Sequence, residues 1–241
     1  MSNLKKHLDV KILQYCSVCG ALETFRFSTG DARDDGACRA CGAVLKVRDA
    51  AHLLLNHTSH GRVLSLKELQ QKQPKDVPRI VEFAYSSAMA KQMLGHPCYE
   101  QVYFWLSGRT QTTSTGHKIP FCDLHATGFE DASRDVIITN DALGFVTELG
   151  QVLQEMARVI RRGGAFIAIN KVDWPVPSQT VEFDGQMQKL YRVPDGTMPL
   201  RRKIGSDLRD LFAKNGFRLM LREIGFSTAK TRNFSLVGVR L

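Results

Sequence analysis

The chain has 241 residues, 43% of them hydrophobic and 24% charged. That is enough for one large core with a small accessory module, and too apolar for a disordered polymer. Its 33 Lys and Arg against 24 Asp and Glu leave a net charge of +9. No apolar run approaches the ~20 residues that span a bilayer. The first stretch, "MSNLKKHLDVKILQYC", is charged without an apolar segment, which excludes a signal peptide and sets the expectation of a cytoplasmic protein.

In chain order, the first signal is Cys16-x-x-Cys19 followed by Cys38-x-x-Cys41, with 18 residues between the pairs. Two such pairs can converge on one tetrahedral Zn²⁺, because each turns both sulfurs to one side of a tight loop. Gly20 and Gly42 follow directly and supply the free backbone that such a knuckle needs. The segment between them reads as a short hairpin. Residues 1–60 are therefore expected to form a zinc ribbon with a connecting helix. Cys16, Cys19, Cys38 and Cys41 would be its metal ligands, and four protein ligands leave no open position, so the zinc is structural. A reducing cytosol opposes disulfides. Cys98 and Cys122 stand alone in apolar contexts and read as core residues. His52, His57 and His60 lack a neighbouring carboxylate or cysteine, and read as the surface and end of a helix.

Residues 47–57 space their apolar side chains at helical intervals, and Ser65 with Glu68 forms a capping box for a second helix. Pro74 and Pro78 mark the way into the main unit, residues 61–241. Strands are predicted at 79–84, 98–105, 117–124, 135–139 and 165–172, with helices at 86–94, 147–164 and 205–217. Two closing strands follow at 218–224 and 233–241. In the helix at 147–164, Leu149, Val152, Leu153, Met156, Val159 and Ile160 make one apolar stripe. Arg161 and Arg162 suit its carboxyl end, and Gly163-Gly164 should stop it. Alternating strands and helices predict an α/β fold: a doubly wound, mainly parallel sheet with a C-terminal antiparallel hairpin at one edge. From residue 200 onward there are ten Lys and Arg against three Asp and Glu. This surplus reads as a solvated face first and as a nucleic-acid surface second, since no aromatic residues are interleaved with it.

Asp123-Leu124, then Phe129-Glu130-Asp131-Ala132-Ser133-Arg134-Asp135, then Arg158-Val159-Ile160-Arg161-Arg162-Gly163-Gly164 resemble the second half of a class I S-adenosylmethionine (SAM)-dependent methyltransferase. Residues 123–169 carry the resemblance, and residues 79–241 fit that family's order of elements. A zinc ribbon ahead of such a domain is similar to a subgroup found with polysaccharide and natural-product pathways. The resemblance implies that Glu82 ends the first strand and that Ala84, Ser86 and Ala88 belong to the loop under the methionine moiety of SAM. It implies that Asp123 and Leu124 hold the adenine, and that Asn140 and Asp141 line the methyl-transfer side. Asp141, Tyr85 and His125, with His117, are the polar groups expected near the acceptor, a small molecule or glycan.

The chain departs from the family pattern at four places. Ala84-Tyr85-Ser86-Ser87-Ala88 replaces Gly-x-Gly-x-Gly. Val102 stands where a ribose-binding acid belongs, Gly144-Phe145 replaces Glu-His, and Arg134 replaces Phe. Each lost charged hydrogen bond costs about 1.5–3 kcal/mol, and ~3 kcal/mol turns a micromolar site into one of ~0.1–1 mM. The second reading is therefore a SAM-independent enzyme or pseudoenzyme on the same fold, with an RNA-modifying or nucleic-acid-binding protein third. Residues 172–199, with Trp174, Pro175 and Pro177, suggest a lid.

Overall fold

The computed structural model describes residues 10–27, 35–104, 110–113, 116–173, 178–183, 190–193, 196–223 and 231–241. Trp174, Pro175 and Pro177 of the expected lid lie outside the described residues.

The chain opens with an antiparallel hairpin of β1 (Val10–Tyr15) and β2 (Leu22–Phe27), in which Tyr15 lies opposite Leu22. Helix α1 (Leu45–Ser59) follows the second Cys pair, and buries Val47, Ala50, Ala51, Leu54 and Leu55 at the spacing of one helical face. It ends at His60 in a left-handed conformation, φ 50°. Half of the capping box forms: α2 (Leu66–Gln70) is capped by Ser65, whose hydroxyl accepts from the Glu68 amide at 3.2 Å, while the Glu68 carboxylate accepts from the Leu64 amide at 3.1 Å. The first amides of α2 are satisfied by the ribbon, Leu66 N donating to Ser17 O at 2.9 Å and Lys67 N to Val18 O at 3.0 Å. A helix start that would leave amides orphaned is thus docked onto the first Cys knuckle.

The central sheet is built from β3 (Ile80–Phe83), β4 (Tyr99–Val102), β7 (Arg134–Asn140), β8 (Ile160–Asp173), β13 (Phe217–Glu223) and β14 (Thr231–Arg240). The intervening short strands are β5 (Gln111–Thr112) and β6 (Lys118–Ile119), then β9 (Val181–Glu182), β10 (Leu190–Val193), β11 (Gly196–Pro199) and β12 (Arg202–Lys203). The sheet order is β13-β14-β8-β7-β3-β4. Strands β4, β3, β7 and β8 run parallel, and β14 runs antiparallel to both its neighbours. The antiparallel hairpin expected at the edge is therefore present. Helices α1 and α3 (Ala88–Met93) cover one face, and α4 (Leu149–Val159) with α5 (Leu208–Lys214) covers the other. Alternation along each strand feeds both layers: Ile80, Val136 and Ile138 point to α1, while Val81, Phe83 and Ile137 point to α4. One apolar cluster runs without a break from Cys16, Val18 and Phe25 in the ribbon through Leu54 of α1 to Ile138 and Ile167 of the sheet.

The ribbon hairpin spans the first Cys pair rather than the segment between the pairs, and two further elements differ from the sequence expectation. The strand predicted at 117–124 is broken by Pro120: Lys118–Ile119 pairs with Gln111–Thr112, and only Phe121 bridges to Tyr103 beyond β4. The helix predicted to run to Gly163-Gly164 stops at Val159, and residues 160–164 enter β8. Ile160 lies opposite Arg134 and Ala165 opposite Val136, so the four residues 161–164 bulge out of β8 against the single Asp135 of β7. Gly163 takes φ +77°, and a Cβ on Gly164 would lie 2.5 Å from the Asp135 carbonyl oxygen. The two glycines are needed by the strand pairing, not by a helix stop. Arg161 accordingly serves the strand, its guanidinium pairing with the Asp135 carboxylate. Among the described residues no helix is long and apolar enough to cross a membrane.

Candidate functional site

In a doubly wound sheet, ligands sit beyond the carboxyl ends of the parallel strands. Here that edge is formed by the ends of β3, β4, β7 and β8. Between β3 and α3 the turn Ala84–Ala88 contains no residue with positive φ. The conformation that glycines would serve is not used, so Ala, Ser and Ala fit without strain. The turn is pinned from two sides. Buried Gln101 on β4 donates through Nε2 to Ala84 O at 2.8 Å and Tyr85 O at 3.2 Å. The Ser87 hydroxyl caps α3, accepting from Ala90 N at 2.9 Å. Tyr85 is half-buried, its ring edge-on to Tyr103 at 5.7 Å.

Glu82 lies beneath this turn and is 0% exposed. Its Oε2 accepts from the Tyr99 hydroxyl, and the Ser87 hydroxyl lies close enough to favour the charged carboxyl, although Oε1 makes no hydrogen bond of full geometry. Burial pushes the Glu82 carboxyl above its ordinary range, offset in part by the Tyr99 and Ser87 hydroxyls. Three more buried polar atoms near this edge have no partner: Thr139 Oγ1 and Asn140 Oδ1 at the end of β7, and Asn170 Nδ2 on β8. Strand alternation places Glu82 and Asn140 toward α1 and α3, and Thr139 and Asn170 toward α4 and α5. Buried polar atoms are nearly always paired. The four lie two on each face of the sheet, so one ligand could meet at most one pair, and Glu82 Oε1 with Asn140 Oδ1 is the pair on the face of the turn Ala84–Ala88.

Asp141 begins the loop after β7 in a left-handed conformation, φ 58°, with its amide donating to Ile169 O at 2.7 Å. Its carboxylate pairs with Lys46 Nζ of α1 at 3.7 Å. The far side of this loop is held by Arg202, a side chain only 2% exposed. Its guanidinium donates to Leu143 O at 3.0 Å, Val146 O at 2.6 Å and Thr147 O at 2.6 Å. The basic run at 201–203 had read as a solvated face, and nothing in its sequence separates Arg202 from its neighbours. Gln101 did carry a signal, a polar residue on the buried face of a strand.

Asp123 is half-exposed, and Leu124 is fully buried in the apolar cluster under α4. The Asp123 carboxylate accepts from His125 N at 2.9 Å and from the ring Nδ1 at 2.7 Å. His125 Nε2 lies 3.3 Å from the Glu148 amide that donates to it and 3.0 Å from Thr147 Oγ1. A ring that accepts at Nε2 carries its proton on Nδ1, so both nitrogens are engaged. His117 lies at the β5–β6 hairpin, its amide donating to Thr113 Oγ1. At the position expected for a ribose acid, Val102 is 2% exposed and apolar. Glu100 pairs instead with Arg134 at 2.9 Å.

The four cysteines meet in the ribbon. All four sulfurs lie within 4.8 Å of one another, with Cys16–Cys41 at 3.7 Å and Cys19–Cys38 at 3.6 Å. Sulfurs bound tetrahedrally 2.3 Å from one ion stand about 3.8 Å apart, whereas a disulfide needs about 2.05 Å. The knuckles repeat each other: Gly20 N donates to Cys16 O at 2.8 Å, and Gly42 N to Cys38 O at 2.7 Å. Glu23 braces the second, accepting from Arg39 N at 2.9 Å and Ala40 N at 3.1 Å. Among the described residues this is the one cluster able to hold a metal, and its donors and spacing fit one.

Residues 105–168 match the methyltransferase domain family. No curated protein matches the chain in sequence. Among solved structures, the chain is similar to geranyl diphosphate C-methyltransferase from Streptomyces coelicolor A3(2), solved with Mg²⁺, geranyl diphosphate and S-adenosyl-L-homocysteine. That likeness has 11% identity and a TM-score of 0.50, over 82% of this chain and 80% of that one. It is also similar to 1,6-didemethyltoxoflavin-N1-methyltransferase from Burkholderia thailandensis, at 16% identity and a TM-score of 0.48, over 80% and 77%. With this domain match, this sheet order and this shared architecture, the protein resembles the class I SAM-dependent methyltransferases and has their fold.

Proposed function

We propose that the protein transfers a methyl group from SAM to a small-molecule or glycan nucleophile, and that its ribbon holds a structural zinc ion. The match of residues 105–168 to the methyltransferase domain family, on the shared fold, carries this reading, and the unpartnered Glu82 Oε1 and Asn140 Oδ1 on one face of the carboxyl edge are polar atoms that a cofactor there would meet. The fit is good at the methionine end. There the turn Ala84–Ala88 is lined by small side chains and needs no glycine, and Glu82 and Asn140 offer oxygen acceptors. The ribose end lacks a carboxylate, so affinity is expected in the range of ~0.1–1 mM.

SAM when bound supplies a methyl group on a positively charged sulfur. The chain's part is orientation. Glu82, Ala84, Ser86, Ala88 and Asn140 would hold the methionine half, and Asp123 with Leu124 the adenine. Tyr85 and Asp141 face the acceptor side, where one could position a hydroxyl or amine for in-line attack. His125, with both nitrogens engaged by Asp123, Thr147 and Glu148, braces the start of α4. The small-molecule class is supported by the Streptomyces enzyme, whose structure contains geranyl diphosphate.

Calorimetric titration of the zinc-loaded protein with SAM and with S-adenosylhomocysteine tests the reading. Saturable binding at or below ~1 mM supports it and leads to an acceptor screen. Absence of binding at millimolar cofactor would sink methyl transfer and leave the SAM-independent reading on the same fold.

A further inference from the structure

We propose that Lys46 is a positioning residue through which the zinc ribbon holds the acceptor-side loop, residues 141–147, in place. The ribbon is thereby a working wall of the site and not a detached module. The inference rests on the proposed zinc site and on the proposed acceptor side of the cleft.

Only Gly42, Ala43 and Val44 separate Cys41 of the second knuckle from α1, which starts at Leu45. Three successive polar side chains of the helix's first turns then reach three different bodies. Lys46 pairs with Asp141 at 3.7 Å, at the point where the loop leaves β7. Arg48, 4% exposed, turns back into the ribbon. Its guanidinium lies 3.5 Å from the centre of the Phe25 ring and donates through Nη2 to Gly36 O at 3.1 Å. Asp49 accepts from the Ser235 hydroxyl of β14 and pairs with Arg222 of β13 at 3.6 Å. The start of α1 is thus fixed to the knuckle by Arg48 and to the sheet by Asp49. Lys46 extends from that fixed base to Asp141.

Asp141 needs such a hold. A non-glycine residue with φ 58° occupies a sparsely used conformation, and it directs the chain into the loop whose other end Arg202 clamps. The Lys46 and Asp141 side chains are 22% and 26% exposed. They are shielded enough to contribute, and exposed enough that the pair is of ordinary strength. If the metal orders the knuckle, it orders the origin of α1. The loop lining the acceptor side then keeps one conformation.

Amide hydrogen exchange resolved by NMR tests this without cofactor or acceptor, so a failure of methyl transfer does not bear on it. In zinc-loaded Lys46→Met, the Asp141 amide is expected to exchange about fivefold faster, the size of one part-shielded ion pair. Phe145 and Val146 should follow to a lesser degree. Zinc content and exchange within residues 16–41 should be unchanged, and Lys46→Arg should recover most of the protection. Partial chelation of the unsubstituted protein should speed residues 141–147 relative to the β13–β14 hairpin. The proposal is overturned if Lys46→Met leaves the Asp141 amide unchanged, if Lys46→Arg fails to rescue, or if the variant accelerates the whole chain equally. Chelation that loosens only residues 16–41 overturns it as well.

Discussion

At the scale of single residues, four charged side chains are buried among the described residues, Arg48, Asp49, Glu82 and Arg202, and two of them lead to opposite predictions. Glu82 is one. Its carboxyl is held above its ordinary value of 4.5 by burial, and the sign of the consequence follows from linkage. Below about pH 4.5 the carboxyl is neutral in both the folded and unfolded chain, so Glu82→Gln changes little. Above that pH the unfolded carboxyl ionises freely while the buried one resists, and the folded state loses stability as pH rises. The Glu82→Gln variant lacks this loss. Its melting temperature is expected to match the parent's at about pH 4 and to exceed it as pH rises above the ordinary carboxyl range. Parallel melting curves across that rise in pH would show that Glu82 is solvated. Arg202 is the other, and its role is the opposite: its fork closes three carbonyls of the loop after β7. Arg202→Met should cost about 3 kcal/mol in urea unfolding, because those carbonyls are left unpaired in a buried site. Arg202→Lys should recover less than half, since a single ammonium cannot span the fork. A loss below about 0.5 kcal/mol would place the guanidinium at the surface.

At the scale of elements, the strands β3, β7 and β8 and the helices α1 and α4 were legible because burial on one or both faces imposes an apolar period. The same logic failed where long-range pairing outranked local pattern. Ile160 continues the helical stripe in sequence, yet it pairs with Arg134, and the strand takes it together with residues 161–164. The third strand was over-read because Pro120 breaks its ladder. Of the candidate site, the four cysteines were legible in full, since ligand spacing is local. Gln101 showed only as a polar residue on a buried strand face, its acceptors lying 16 and 17 residues away, and Lys46 did not show at all, because its partner lies across the fold. The turn Ala84–Ala88 teaches the same lesson in reverse. Sequence alone counts its missing glycines as a loss, while the backbone shows no position that wants one. Restoring a glycine should therefore harm. Ala88→Gly, at the first residue of α3, is expected to lower stability by about 0.5–1 kcal/mol in chemical denaturation without tightening SAM binding. A stabilised variant that binds SAM more tightly would show that the turn is strained.

At the scale of the whole molecule, the sequence suggests two units meeting near residue 60, and the packing offers a test of that division. The apolar cluster is shared. Cys16, Val18 and Phe25 of the ribbon join Leu54 and Leu55 of α1, which join Ile138 and Ile167 of the sheet. The polar contacts cross the same boundary, with α2 donating its first amides to Ser17 and Val18, Lys46 reaching Asp141, and Asp49 reaching Ser235. A ribbon hairpin of this size has little core of its own, and without its metal and its neighbours it could not offset the entropy of ordering. The zinc-loaded protein is therefore expected to unfold in a single calorimetric transition whose van't Hoff and calorimetric enthalpies agree. Its midpoint should fall when zinc is withdrawn, because a metal that binds only the folded ribbon stabilises everything cooperative with it. Two resolved transitions, with only the smaller one sensitive to chelator, would mean that the ribbon folds alone and rests on the sheet. In that case the Lys46–Asp141 pair would join two independent bodies, and zinc could not govern the acceptor side of the cleft.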